Sequence, residues 1–163
     1  MHAPPDEHQL PVTLDAGATL PSRAHQDDAG LDLYSTEDVE IGPGERALVS
    51  TGVRLALPVG TVGMVCPRSG LAARHGVTVL NGPGIVDAGY RGEVKVALLN
   101  TDRGTSVQLH AGDRIAQLVI LPVVPLDPVA VEDLPTTVRA DGGFGSSGGF
   151  GARTTEAPTP EER

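Results

Sequence analysis

Glu93-Val94-Lys95-Val96-Ala97-Leu98-Leu99-Asn100 decides the fold class. Val94, Val96 and Leu98 fall on one face of an extended chain, and Glu93, Lys95 and Ala97 on the other. That period of two is the signature of a half-buried strand. Short runs of the same kind recur on both sides. Upstream lie Pro11–Leu14, Leu31–Tyr34, Arg46–Ser50, Val53–Leu57, Thr61–Cys66 and Val77–Leu80, and downstream Ser106–Leu109 and Arg114–Val124. Gly, Pro, Asn or Asp separate them, and Pro43-Gly44, Pro58-Val59-Gly60 and Ala111-Gly112-Asp113 are turn chemistry. Only Ser69–Arg74 reads as a helical turn or two. No internal repeat of fixed period is present. The pattern predicts an all-β sandwich, barrel or jelly roll.

The bulk numbers bound the function. At 163 residues the chain is one domain of ordinary size. Its 12 basic and 21 acidic residues leave a net charge of −9, which argues against broad binding to nucleic acid or anionic membranes. A polyanionic ligand must then be captured locally by a few arginines. The single Cys66 excludes an internal disulfide framework and suits a reducing cytosol. Met1–Glu7 lacks the basic start and apolar run of a signal peptide, and no stretch is long and apolar enough to span a bilayer. The expectation is a cytoplasmic protein. Residues 1–9 and 152–163 are polar, proline-dotted and acidic, and are expected to be disordered.

Four clusters inside the β region carry candidate chemistry. Ala29-Gly30-Leu31-Asp32-Leu33 places one carboxylate in an apolar strand, costly to bury unless paired or near a cation. Read by itself it is a strand-edge aspartate facing water. Pro67-Arg68-Ser69-Gly70-Leu71-Ala72 offers a guanidinium, a hydroxyl and a bare glycine N–H where a strand gives way to a short helix, the makings of a local anion site. Asn81-Gly82-Pro83-Gly84-Ile85-Val86-Asp87-Ala88-Gly89-Tyr90-Arg91-Gly92-Glu93 is the most specific run. It reads as a β-hairpin between two sharp turns, exposing backbone groups able to pair with the edge of a base. In Asp113-Arg114-Ile115-Ala116-Gln117-Leu118-Val119 the Gln117 amide interrupts an apolar strand and wants a polar partner. Asp113 and Arg114 are candidates to pair with each other.

The C-terminal stretch Asp141–Gly151 follows Arg139, and six of the ten residues from Gly142 to Gly151 are glycine. No ordinary strand or helix holds such a segment. Its composition alone is that of a flexible Gly/Ser tail. With Arg139, Ser146 and Phe144 it also holds groups that wrap phosphates and stack on a base.

In this order the five clusters resemble the sequence blocks of the homotrimeric, all-β dUTPase family, over roughly residues 10–151. The resemblance implies a distorted, β-clip-like jelly-roll protomer. It divides the chain into a β-domain at 10–134 and a flexible glycine-rich arm at 135–151. It implies a Mg²⁺-dependent hydrolysis of dUTP to dUMP and pyrophosphate, keeping uracil out of DNA and supplying dUMP for thymidylate synthesis. It also implies three sites, each shared among three chains. One chain lends Arg68, Ser69, Gly70 and Gln117 for the phosphates, with Asp32 holding the ion through water. A second lends Asn81, Ile85, Val86, Asp87 and Tyr90 for uracil, deoxyribose and the attacking water, which Asp87 activates. Lys95 matches a further substrate contact. A third lends the arm, with Arg139 on the terminal phosphate, Phe144 over the uracil, and Gly145 and Ser146 beside it.

The implied selectivity has a physical logic. Recognition of uracil by backbone groups leaves no room for the thymine methyl, and cytosine presents a donor where an acceptor is needed. Tyr90 against the sugar would clash with a ribose 2′-hydroxyl. Two residues depart from the usual family pattern, Ile85 in place of Thr and Phe144 in place of the His of many relatives. A dCTP deaminase shares the fold, but its proton-shuttling glutamate lies seven residues beyond the hairpin aromatic, where this chain has Ala97. A non-catalytic dUTP-sensing trimer would keep the scaffold without the activity, and an intact Asp32, Asp87 and Arg139 argue against it.

Overall fold

A computed structural model describes residues 9–138, 140 and 141. The chain forms two compact units, one running to Leu126 and one from Asp127 onward. The first is built of strands β1 (Val12–Leu14), β2 (Gly30–Tyr34), β3 (Val39–Ile41), β4 (Arg46–Val49), β5 (Val53–Leu55) and β6 (Thr61–Cys66), then helix α1 (Ser69–His75), then β7 (Val77–Val79), β8 (Gly84–Asp87), β9 (Val96–Asn100), β10 (Val107–Leu109) and β11 (Arg114–Pro122). In the second, the described residues are irregular, closed by a turn in which the Ala140 N–H donates to the Thr137 carbonyl and hydroxyl at 3.1 Å each.

Every named pairing is antiparallel. A four-stranded sheet runs β2-β11-β6-β8, a three-stranded one β4-β9-β7, and β1-β5 and β3-β10 form two-stranded ribbons. The sequence-predicted runs all appear as strands, most of them trimmed at an end, although β6 keeps its bounds and β2 starts one residue earlier, and the short helix extends one residue further, to His75. Strand β3 is the addition. It is only Val39-Glu40-Ile41, and it pairs with β10 rather than with a neighbour in sequence, so little local signal marks it.

The alternation at 93–98 has the predicted consequence. Val94, Val96 and Leu98 are buried at 3%, 1% and 0% exposure, although ladder pairing begins only at Val96. They join Leu33, Ile41, Val49, Val53, Ile115 and Leu118 in one apolar core, where each full aliphatic side chain contributes ~1.5–3 kcal/mol. Gly63 lets β6 approach its neighbours closely: a Cβ there would lie 3.1–3.2 Å from Leu118, Leu57 and Val86.

One irregularity positions the site. On β11, Gln117 pairs with Asp32 and Ala116 with Leu33, but the register slips so that Arg114 pairs with Tyr34. The extra residue forms a β-bulge. It lets Ile115 and Ala116 both enter the core, at 1% and 0% exposure. Paired residues share a face and faces alternate along a strand, so the slip returns Arg114 to the face carrying Gln117 and Asp32.

Candidate functional site

The first half-site centres on Asp32, only 12% exposed in its side chain. Arg68 Nε donates to its Oδ1 at 2.9 Å and Arg114 Nη1 to its Oδ2 at 3.1 Å. Arg68 Nη1 also donates to the Arg114 carbonyl at 3.2 Å. Asp32 is therefore a buried, doubly paired carboxylate and not a strand-edge residue facing water. Two guanidiniums in fixed positions repay the cost of taking it from solvent. Arg114 does not pair with Asp113, whose Oδ2 instead accepts the His110 N–H at 2.8 Å. Sequence reading missed Arg114 as a site residue because only the bulge turns it toward Asp32.

Around this clamp lies a cavity of about 440 Å³ lined by Gly30, Asp32, Arg68, Ser69, Gly70 and Gln117, among others. The Gln117 amide finds the polar partner it wanted, donating through Nε2 to the Pro67 carbonyl at 3.0 Å. Its Oε1 occupies the space above Gly30, where a Cβ would lie 2.4 Å away. Gly70 has open space where its Cβ would stand, and Ser69 is exposed. The cavity thus gathers a guanidinium, a hydroxyl, an amide and an uncovered backbone, all suited to anionic oxygens.

The second half-site is a cavity of about 450 Å³ whose lining includes Asn81, Ile85, Val86, Asp87, Tyr90 and Lys95. Its segment is not a two-stranded hairpin. It is the single strand β8 between turns, paired with β6 alone among the described residues. The residues after Asp87 leave the ladder at once, as the Tyr90 N–H bonds back to the Asp87 carbonyl at 3.0 Å. Val86 is buried, while Asn81 and Asp87 are exposed and Ile85 is 59% exposed. Tyr90 folds back over Gly92, where a Cβ would stand 2.3 Å from the phenol oxygen, and its hydroxyl donates to the Glu93 carbonyl at 3.0 Å. Ala97, the position a deaminase would fill with glutamate, also lines this cavity.

The two half-sites share no lining residue. Sheet register says how far apart they stand. Asp32 lies opposite Gln117, and Gln117 opposite Cys66, whereas Asp87 lies opposite Val62, four residues back along β6 and three strands over from β2. At ~3.3 Å per residue and ~4.8 Å between strands, the two aspartate Cα atoms are roughly 20 Å apart within one chain. Arg139, Phe144, Gly145 and Ser146, the arm residues of the sequence reading, lie outside the described residues.

Comparison with known proteins places the chain in a family. The dUTPase family model matches residues 16–148. The deoxyuridine 5′-triphosphate nucleotidohydrolase of Nocardia farcinica is 58% identical over 144 residues, covering 88% of this chain and 87% of that protein. That of Mycobacterium tuberculosis is 57% identical over 143 residues, covering 85% and 93%. The solved dUTPase of Staphylococcus bacteriophage 80alpha with dUpNHpp superimposes with a TM-score of 0.82 at 31% identity, covering 86% of this chain and 99% of that one. A mutant dUTPase from phage phi11 of S. aureus, described for its coordination of a structural Mg(II) ion, gives a TM-score of 0.73 at 28% identity, covering 78% and 99%.

Proposed function

The chain belongs to the dUTPase family, and from that premise we infer that it is a dUTP diphosphatase, hydrolysing dUTP to dUMP and pyrophosphate in the cytoplasm. Such an activity keeps uracil out of DNA and supplies dUMP for thymidylate synthesis. The observation that carries the reading is the complementarity of the two cavities. One holds arginines, an amide and a hydroxyl for a polyphosphate, and the other an exposed carboxylate beside an open strand edge.

The base edge is read by β8. Its ladder partner β6 lies on one side, leaving backbone groups on the other for uracil. Asp87, exposed at the end of that strand, takes a proton from water as the water oxygen attacks the α-phosphorus. The bond from the α-phosphorus to the bridging oxygen breaks, and pyrophosphate departs with that electron pair. What the base needs is placement within hydrogen-bond reach of that water. Arg68 spends Nε and Nη1 on Asp32 and Arg114. Its Nη2 carries two further donors for phosphate oxygens. Arg139 binds the terminal phosphate and Phe144 stacks on the base, as the resemblance implies, with Gly145 and Ser146 as further substrate contacts.

The ion in this reading is Mg²⁺. The described residues hold no group of three or more His, Cys, Asp or Glu side chains able to bind a metal, and both oxygens of Asp32 already accept from arginines. That donor set fits an ion ligated mainly by water and phosphate oxygens, with Asp32 reaching it through water. When bound, it would neutralise the triphosphate and hold it in one shape.

The separation of roughly 20 Å between Asp32 and Asp87 supports a homotrimer with shared sites. In this reading the two carboxylates that serve one substrate come from different chains. The test is pyrophosphate release from dUTP, dCTP, dTTP and UTP in parallel, for the wild type and Asp87→Asn. Release should be confined to dUTP and fall ~10²-fold or more in the variant, with nucleotide binding retained. Near-normal turnover by the variant would remove Asp87 from the mechanism.

A further inference from the structure

Glu93 is a carboxylate to which the reading above gives no role, yet its side chain is only 15% exposed and it lines the cavity beside Tyr90. Its Oε1 accepts the Gly52 N–H at 2.9 Å, and its Oε2 lies 3.5 Å from the Lys95 ammonium. Gly52 is itself irreplaceable. Its φ is +64°, and a Cβ would stand 2.7 Å from Ala18, so only glycine fits this left-handed position. The next residue in the chain adds two more ties. The fully buried Thr51 donates its hydroxyl to the Val94 carbonyl at 2.5 Å, and the Val94 N–H donates to the Val53 carbonyl at 2.8 Å. Residues 93–94 are thus stapled to residues 51–53 by a carboxylate, a hydroxyl and a backbone bond.

That staple has one direct consequence for the site. The Glu93 carbonyl receives the Tyr90 hydroxyl, so where Glu93 is held, the ring is held. We propose that Glu93 is the positioning residue that fixes Tyr90 at the sugar pocket, and so sets the preference of this chain for deoxyribose over ribose nucleotides. The role rests on the reading of Tyr90 as the group facing the sugar. Removing the carboxylate strands the part-buried Gly52 N–H, releases Lys95 and loosens the carbonyl on which the phenol rests.

The experiment measures kcat/KM for dUTP and UTP in the wild type, Glu93→Ala, Glu93→Gln, Tyr90→Phe and the Glu93→Ala, Tyr90→Phe double variant. Glu93→Ala and Tyr90→Phe should each reduce the dUTP preference by roughly 5–10-fold, the effect of one lost hydrogen bond. The loss should show as a gain by UTP. Glu93→Gln keeps an Oε1 acceptor for Gly52 and should stay within about threefold of the wild type, by the same reasoning. Because both residues act through one ring, the double variant should be no worse than either single one. Should Glu93→Ala not fold, Glu93→Asp, a methylene too short for Gly52, takes its place. A wild-type enzyme with preference that survives Glu93→Ala or Glu93→Asp would overturn the role of Glu93 alone. Effects that multiply in the double variant would do the same. A wild type that hydrolyses UTP as readily as dUTP would overturn the sugar reading of Tyr90, and this role with it.

Discussion

Mixing two inactive variants is the sharpest test of the sharing inferred from the sheet register. Asp32→Asn removes the charge at the phosphate clamp, and Asp87→Asn removes the base. In one chain these positions stand four residues apart along β6 and three strands across, or roughly 20 Å. If a site takes Asp32 from one protomer and Asp87 from the next around a ring, equal amounts of the two variants give each site about even odds of an intact clamp and, independently, of an intact base. About a quarter of sites then carry both. Each pure variant leaves every site defective. Pyrophosphate release after co-unfolding and refolding should therefore rise from near background to about a quarter of the wild-type rate. The composition of the mixed oligomers is checked by tagging one variant and separating the species. Mixed trimers with no recovered activity would show that both carboxylates act from the same chain, and the register argument would be wrong.

Three further outcomes follow from particular residues. Deleting residues from 139 onward removes Arg139 and Phe144 and should leave a folded protein, by circular dichroism, that binds dUTP weakly and turns over poorly; full activity would make the arm an inert spacer. Gly30→Ala places a Cβ where Gln117 Oε1 now lies, 2.4 Å away. It should raise KM for dUTP more than it lowers kcat, and an unchanged KM would remove the Gln117 amide from phosphate binding. Burial by itself raises the Glu93 carboxyl, but the Gly52 N–H and Lys95 outweigh it and hold its pKa below the ordinary value. A group depressed in the folded state stabilises above its unfolded pKa, and that contribution is lost as pH falls through the folded one. Thermal melts of Glu93→Gln should thus fall below those of the wild type at neutral pH, and the gap should begin to narrow as pH falls past the ordinary Glu value of about 4.3, closing only below the depressed folded value. A gap independent of pH would mean that the charge of Glu93 does not contribute.

The parts of this molecule legible in its sequence are those that local chemistry decides. Alternation at 93–98 named the buried face, and Pro-Gly and Gly-Asp turns bounded strands to within a residue or two. What local chemistry does not decide is register. Arg114 follows Asp113 in a turn, and nothing in Asp113-Arg114-Ile115-Ala116 says that two consecutive residues will both face the core. The bulge is a choice made between strands, against β2, and it alone delivers Arg114 to Asp32. Glu93 escaped for a similar reason, since its acceptor role depends on Gly52, 41 residues away in sequence. The same limit explains why spacing names candidate site residues without saying how far apart the fold sets them. Asp32 and Asp87 read as partners in a linear motif order, yet their separation is set by how far along β6 each neighbour is registered. A shift of β8 by four residues along β6 would bring Asp87 level with Cys66, in the same row as Gln117 and Asp32. It would also strip Val86 from its place against Gly63 and the core. Core packing therefore holds Asp87 away from Asp32 of its own chain, and in the homotrimer proposed above a neighbouring protomer would complete the site.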